Sequence, residues 1–266
     1  MSSKSAPGVE TRPADLFWVP LRWLLRVPLL LALIVFGLPL VVPTIILSRK
    51  LSFLPDAWAD GAISLWSRAL CRVYGFRTEV IGPAARQPVL LIANHISWAD
   101  IEVIHAHAAC GFVAKAEIQR WPLIGFLATV GGTIFHERGN NRSVEVVNEK
   151  MRQRLVSGRS VAIFPEGRTG DGRRLGPFHA RLLQCAIDAN VPVQPVALLF
   201  DDPTGINHEV AFRPGETFLG GFLRLLGRPS RRVRLVFDNP IPADQPRRQL
   251  AALCRSHIAR FLGEPT

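Results

Sequence analysis

Residues 27–48 run for 22 positions without a charged side chain, and no other stretch limits the architecture of this chain so sharply. An α-helix rises about 1.5 Å per residue, so about 20 apolar residues cross the hydrocarbon core of a bilayer. A core helix of a water-soluble domain rarely stays uncharged for so long. A cleaved signal peptide fits poorly too, because the charged start is long, the run exceeds the usual apolar core and no small-x-small site follows promptly. The segment is expected to touch lipid. Pro28, Pro39 and Pro43 interrupt it, and each can kink or end a helix. Both flanks are basic, Arg22 and Arg26 before and Arg49 and Lys50 after, so the charges set no single orientation. A membrane-embedded helical hairpin entering and leaving on the cytoplasmic side is favoured over a single crossing. The expected organisation is a polar tail over 1–15, a membrane-anchoring helical segment over 16–50 and a folded domain over 51–266.

Composition agrees with work at a lipid surface. The formal net charge is +11, and each basic side chain near anionic lipid gains about 1 kcal/mol, screened within a Debye length. A nucleic-acid binder is the competing reading of such a charge. No nucleic-acid motif is present and the membrane segment accounts for the charge, so no nucleic-acid partner is expected. Arginine supplies 28 of the 32 basic residues, which makes any arginine without a special position uninformative. Cys71, Cys110, Cys185 and Cys254 lie far apart with no C-x-x-C pair; neither a disulfide framework nor a zinc site is expected, and a reduced cytoplasmic setting fits. His105 and His107 would point away from each other on a helix. His179, His208 and His257 have no evident ligand partners, so neither a metal nor an organic cofactor is expected. Oligomeric state leaves no mark in the sequence.

Short apolar runs alternate with segments of helical period. Strands are predicted over 77–81, 89–93, 111–114, 133–135, 161–164, 193–200 and 233–237, with helices over 58–74, 99–109, 143–157 and 180–189. Leu250, Leu253, Cys254, His257, Ile258 and Phe261 follow the 3-4 spacing of a C-terminal amphipathic helix. About 200 residues after the membrane segment suffice for a substantial core, and the alternation implies an α/β layered domain.

The chemistry concentrates at Asn94-His95-Ile96-Ser97-Trp98-Ala99-Asp100, where an apolar strand gives way to a helix. Ser97 fits an N-cap and Asp100 the third helical position, a capping-box arrangement that leaves His95 just outside the positive end of the helix. The turn can bring the two side chains together. A neutral imidazole then takes a proton from a hydroxyl while the carboxylate fixes its tautomer and stabilises the imidazolium. On its own the pair reads more readily as a capping aspartate beside a core histidine.

Three further segments follow in order: Gly132-Thr133-Ile134-Phe135-His136-Glu137-Arg138 with Arg142, then Phe164-Pro165-Glu166-Gly167-Arg168, then Val191-Pro192-Val193-Gln194-Pro195-Val196. With 94–100 they resemble the four blocks of the glycerolipid acyltransferase family, whose best-known bacterial member is 1-acyl-sn-glycerol-3-phosphate acyltransferase. The resemblance spans roughly residues 65–240. It implies a layered α/β acyltransferase domain with a central mixed sheet, over 51–266, at the cytoplasmic side of a bacterial inner membrane. It implies His95 as catalytic base and Asp100 as its orienting partner. Arg138 would bind the acceptor's phosphate, Glu166 and Gly167 would shape the acceptor site, and Arg168 lies beside them. His136 stands where an apolar residue is common and Arg168 where threonine is frequent. An arginine's planar fork of donors suits an anionic headgroup. Glu166 sits where proline and glycine turn the chain at a strand's carboxyl end, the place where ligands of α/β sheets gather; it is expected to accept from acceptor hydroxyls or to hold an arginine. Gly167, Gly170, Gly172 and Gly176, with Arg168, Arg173 and Arg174, read as a flexible basic loop that could close over a headgroup.

The implied activity moves an acyl chain from a thioester, acyl-CoA or acyl carrier protein, to the free hydroxyl of a lysolipid, lysophosphatidate first, in phospholipid biosynthesis. Ser97-Trp98-Ala99-Asp100-Ile101 and Phe112-Val113-Ala114-Lys115, with Trp121-Pro122-Leu123-Ile124-Gly125, also resemble the branch that acylates lyso-ornithine lipid. From another class, a hydrolase or a non-catalytic lipid-binding membrane protein competes, although no G-x-S-x-G nucleophile elbow is present.

Overall fold

The apolar runs become strands because both faces of most of them are covered. The computed structural model describes residues 17–86, 88–137, 141–170, 174–201, 209–213 and 215–264; the polar tail expected over 1–15 lies outside them. Its strands are β1 (Phe76–Ile81), β2 (Leu90–Ala93), β3 (Gly111–Lys115), β4 (Ile134–His136), β5 (Val161–Ile163), β6 (Val193–Phe200) and β7 (Arg231–Phe237), in one sheet of order β1-β7-β6-β2-β5-β3-β4. β2 pairs parallel with β5 and with β6, and β3 pairs parallel with β5 and β4. β7 runs antiparallel to β6 and parallel to β1. The sheet is mixed, and β2, β3, β4, β5 and β6 deliver their carboxyl ends to one edge.

Side-chain alternation divides β2 between two cores. Leu91 and Ala93 face one with Tyr74, Val103, Phe112 and Leu198; Leu90 and Ile92 face the other with Met151, Leu155, Val161 and Ile258. The first face is covered by helices α2 (Asp56–Tyr74) and α3 (Ala99–His105). The second is covered by α5 (Asn141–Val156), α6 (Gln184–Ala189, after a 3₁₀ turn Ala180–Leu183) and α8 (Arg247–Leu262). Two helices lie where the sequence pattern marks none: α4 (Ile124–Val130) and α7 (Phe218–Leu226). Gly220 and Gly221 lower helix propensity in α7, but a Cβ on Gly221 would meet the Phe212 ring at 2.9 Å. Close packing overrides propensity there.

The N-terminal segment is one helix, α1, running Val19–Lys50, about 48 Å long at 1.5 Å per residue. The expected hairpin is absent, because no proline breaks the run. Pro39 would crowd the carbonyl four residues back, and a π turn at Leu33–Gly37 widens the ladder just before it. Beside Pro43, the Thr44 hydroxyl donates to the Leu40 carbonyl at 2.7 Å. Both ends of α1 are tied to the rest of the molecule. Arg22 and Arg26 donate to the carbonyls of Gly227, Leu226 and Arg228 at the end of α7, and Arg49 donates to Val130 at the end of α4. These basic residues cap the orphan carbonyls of helix C-termini, where cations are favoured. Leu30 is part of the first core, while much of the remaining face, Leu24, Leu25, Phe36 and Leu40 among it, is exposed.

Asn94 locks the end of β2 to β6 through its side chain. Its amide donates to the Leu198 carbonyl at 3.0 Å and its oxygen accepts from the Leu198 N–H at 2.8 Å, both buried. Asn94→Ala strands two buried backbone groups at about 1–3 kcal/mol each. A lowered melting temperature with the helical signal retained below the transition is the expected outcome in thermal denaturation followed by circular dichroism.

Candidate active site

The chain leaves β2 through Asn94 and turns at once into α3, and that turn is organised by one carboxylate. Asp100 is fully buried. Its Oδ2 accepts from the backbone N–H of Ile96 at 2.6 Å and of Ser97 at 2.9 Å, and lies 2.8 Å from His95 Nδ1. The Asp100-to-Ser97 contact is the carboxylate half of the expected capping box; the Ser97 hydroxyl accepts from the Ala99 N–H instead, at 3.1 Å. An oxygen that receives two amide donors is an acceptor toward the ring as well, so Nδ1 carries the hydrogen. The lone pair is left on Nε2, in a side chain 18% exposed. An imidazole with a free lone pair and a carboxylate fixing its tautomer, the arrangement that general-base chemistry requires, are therefore assembled at the sheet edge.

The neighbouring strand supplies the rest of the cradle. β5 lies beside β2, so 164–166 emerge next to 94–96. The Phe164 ring stacks on the His95 imidazole, centroids 3.9 Å apart and planes within 12°. Glu166 Oε1 accepts from the His95 N–H at 2.9 Å, and Oε2 from the Gly176 N–H at 2.8 Å. The Gly170 N–H donates to the His95 carbonyl at 2.7 Å. Both main-chain groups of His95 are thus held from the third block and the loop that follows it, and each oxygen of Glu166 accepts from one backbone amide. Burial raises the Glu166 carboxyl above the usual carboxylate range, and the two amide hydrogen bonds work against that rise.

The other sequence-marked residues fall out differently. Gly167 has φ +69°, which turns the chain sharply after Glu166, and Arg168 beside it is exposed. Glu166, expected to shape the acceptor site, accepts one backbone N–H on each oxygen, from His95 and from Gly176. The glycine-rich loop is fastened rather than loose where it is described: Gly170 to His95, Gly176 to Glu166, and the Leu175 and Gly176 carbonyls to Arg255. Arg138, Gly172, Arg173 and His208 lie outside the described residues, as does the side chain of Arg142. β4, the strand that leads to the second block, is three strands from β2 on the same edge. The His136 Nδ1 lies 3.0 Å from the Ser143 hydroxyl. In the fourth block, Gln194 donates to the carbonyls of Pro83 and Asp238, which holds the sheet together away from His95. Sequence reasoning gives Phe164 and Asn94 no role within their blocks, and it misses the aromatic wall beside Trp98 altogether. Trp98 meets Tyr74 and Phe222 at ring-centroid distances of 4.8 and 4.9 Å and Phe218 at 6.4 Å.

Comparison with known proteins bears on the family and the fold. The family model described as Acyltransferase matches residues 77–199, which span β1 to β6. A lyso-ornithine lipid O-acyltransferase of Pseudomonas aeruginosa is 36% identical over 240 residues, 90% of this chain and 90% of that one. The chain belongs to the glycerolipid acyltransferase family. A 1-acyl-sn-glycerol-3-phosphate acyltransferase of Neisseria gonorrhoeae is 43% identical over 129 residues, 48% of this acyltransferase and 51% of that one. The fold matches the crystal structure of the 1-acyl-sn-glycerophosphate acyltransferase PlsC of Thermotoga maritima, with a TM-score of 0.71 and 18% identity over 94% of this chain and 96% of that one. The acyltransferase is thus an enzyme of the lysophospholipid and glycerolipid type.

Helix α3 of the acyltransferase carries Asp100 at its start and His105 at its end. The His105 Nε2 lies 3.1 Å from the Cys110 carbonyl, a donor's position, and its ring packs edge-on against Phe112. Burial pulls this imidazole down from 6.5 to about 4. A depressed histidine contributes stability that is present above its unfolded value and lost as pH falls from 6.5 toward 4, at about 1.4 kcal/mol per unit. The melting temperature should therefore drop across that window, and His105→Gln, which keeps a donor without titrating, should flatten the drop in a pH series of thermal melts.

Proposed function

We propose that this acyltransferase moves an acyl chain from a thioester, carried by coenzyme A or acyl carrier protein, to the free hydroxyl of lyso-ornithine lipid. The observation that carries the chemistry is the His95–Asp100 pair. The choice of acceptor rests on the reach of the likeness: the lyso-ornithine relative matches along nine-tenths of both chains, whereas the lysophosphatidate relative matches about half of each. That reverses the order in which the sequence motifs rank the two acceptors.

In the proposed reaction the acceptor hydroxyl gives its proton to His95 Nε2 as its oxygen attacks the thioester carbonyl. A tetrahedral oxyanion forms and collapses, the carbon–sulfur bond breaks, and the imidazolium returns the proton to the departing thiolate. Asp100 faces the ring nitrogen that gains positive character, which stabilises the charge-separated state. Phe164 and Glu166 are positioning residues: one fixes the ring plane and the other fixes the backbone that carries the ring. Arg138 is assigned to the acceptor's anionic group, since its fork matches carboxylate and phosphate alike. Gly167 and Arg168 are assigned to the rim of the acceptor site. No metal or organic cofactor has a role in these steps.

The site is assigned to the cytoplasmic face of a bacterial inner membrane. Both ends of α1 are hydrogen-bonded to the same domain, so α1 is assigned to the plane of one leaflet, exposed leucines toward lipid. Crossing would place its ends on opposite sides.

Acyl transfer to lyso-ornithine lipid and to lysophosphatidate, from acyl-CoA and from acyl carrier protein, tests the reading in membranes holding wild type or His95→Ala. His95-dependent diacylated ornithine lipid is expected, with the variant down by about 10²- to 10⁴-fold. Phosphatidate alone would move the assignment to lysophosphatidate; free fatty acid without an acceptor would make the chain a hydrolase. Glu166→Gln, which cannot accept from both amides, should lower kcat by about tenfold or more while leaving the acceptor KM within about twofold. A raised KM at unchanged kcat would return Glu166 to acceptor binding.

A further inference from the structure

Between the 3₁₀ turn Ala116–Arg120 and α4, the backbone makes a turn that few residues tolerate. Leu123 has φ +59° and ψ −56°, and the Ile124 N–H donates to the Pro122 carbonyl at 2.6 Å. This is a γ-turn of the rare, strained hand. Such strain in a branched residue persists only where its surroundings enforce it. The enforcement is visible on both sides. The Gly125 N–H donates to the Trp121 carbonyl at 2.9 Å, and a Cβ on Gly125 would meet the Gln119 carbonyl oxygen at 2.2 Å. The protein itself recovers little from the side chain so displayed: Leu123 is 47% exposed, with Trp121 at 37% and Phe126 at 53% beside it.

What surrounds the turn indicates its partner. The Trp121 ring meets Phe218 at 5.2 Å, and Phe218 meets Trp98 at 6.4 Å, so an aromatic wall leads from the turn to the residue three positions beyond His95. The outer face of α7 continues the apolar surface with exposed Leu219 and Leu223. α4 and α7 are each fastened to an end of α1, whose own outer face is apolar. Exposed Arg120 precedes the turn, a charge suited to anionic headgroups, and tryptophan favours the boundary between headgroups and chains.

We propose that Trp121, Leu123 and Phe126, continued by Leu219 and Leu223, form a lipid-inserting edge at the mouth of the active site. Its partner is the acyl-chain region of the leaflet that holds α1. The edge seats the catalytic mouth at the depth of the headgroups, so that a lysolipid presents its hydroxyl to His95 while its chain stays against lipid and the Trp98 wall. The proposal rests on the reading of the chain as an enzyme of membrane lipids, and it does not depend on which lysolipid is the acceptor.

All four native cysteines are buried, so a new surface cysteine can be labelled selectively in the full chain. Phe126→Cys and Leu219→Cys, each carrying an environment-sensitive fluorophore, are reconstituted in vesicles containing phosphatidylglycerol, with Gln153→Cys on the exposed side of α5 as reference. Blue-shifted emission at 126 and 219, quenched by lipids with nitroxides on their acyl chains, is expected, against water-like unquenched emission at 153. Water-like emission at 126 and 219 in vesicle-bound protein would overturn the proposal, as would shielding that grows with protein density but is not quenched by the lipid label, which would point to a second copy of the chain. Leu123→Gly gives an independent readout. Relief of the strained φ should raise the melting temperature, while transfer to an acceptor embedded in vesicles falls; a lowered melting temperature would make Leu123 a packing residue and sink its assignment to lipid. Because the fluorescence needs no turnover, failure of the acceptor assay and failure of this proposal are separable.

Discussion

One oxygen atom, Oδ2 of Asp100, holds three donors in a space from which water is excluded. A buried carboxylate is costly unless its charge is met by hydrogen bonds, and here the requirement shapes the backbone. The amides of Ile96 and Ser97 must point inward to meet it, which closes the turn between β2 and α3 and leaves His95 as the side chain of the turn positioned to share the same oxygen. The local fold and the geometry of the His95–Asp100 pair are consequently one arrangement. A change at this carboxylate therefore acts on the turn as well as on the imidazole's orientation.

Glu166 repeats the device one strand away, with both oxygens directed at backbone amides rather than at side chains. Its two bonds join His95 to the far end of the glycine-rich segment, and Gly176 is the residue that lets the carboxylate approach: a Cβ there would stand 3.1 Å from Oε2. The two carboxylates approach the histidine from different sides. One addresses the ring and the other its main chain, so the ring has little freedom to leave the position in which Nε2 is accessible.

The parallel strands are legible in the sequence because burial on both faces leaves continuous apolar runs such as 89–93 and 196–200, and each strand observed starts and ends within two residues of its predicted span. The contact between His95 and Asp100 is legible from spacing and capping chemistry, whereas its reading as a base comes only from the four blocks taken together. The partners of Glu166 are not, since nearly every residue carries a backbone N–H and the sequence cannot mark which ones a carboxylate will meet. α7 is hidden by Gly220 and Gly221, and the packing value of Gly221 depends on Phe212 nearby. The prolines of α1 read as breaks because the π turn that accommodates Pro39 has no residue signature of its own.

The basic flanks of α1 show how one residue pattern serves two purposes. Arg22, Arg26 and Arg49 have the placing of charges at a membrane boundary, and each also donates to carbonyls at the end of a neighbouring helix. Those bonds bring α4 and α7 alongside the apolar helix, and Leu30 enters the same core as Leu91 and Tyr74. The element that seeks lipid is therefore packed into the body that carries the chemistry, and the separation between an anchoring segment and a catalytic domain exists in composition rather than in packing. Because α1 is hydrogen-bonded at both ends to helices of that body and shares its core, a depth imposed on α1 is transmitted to the sheet edge where His95 sits.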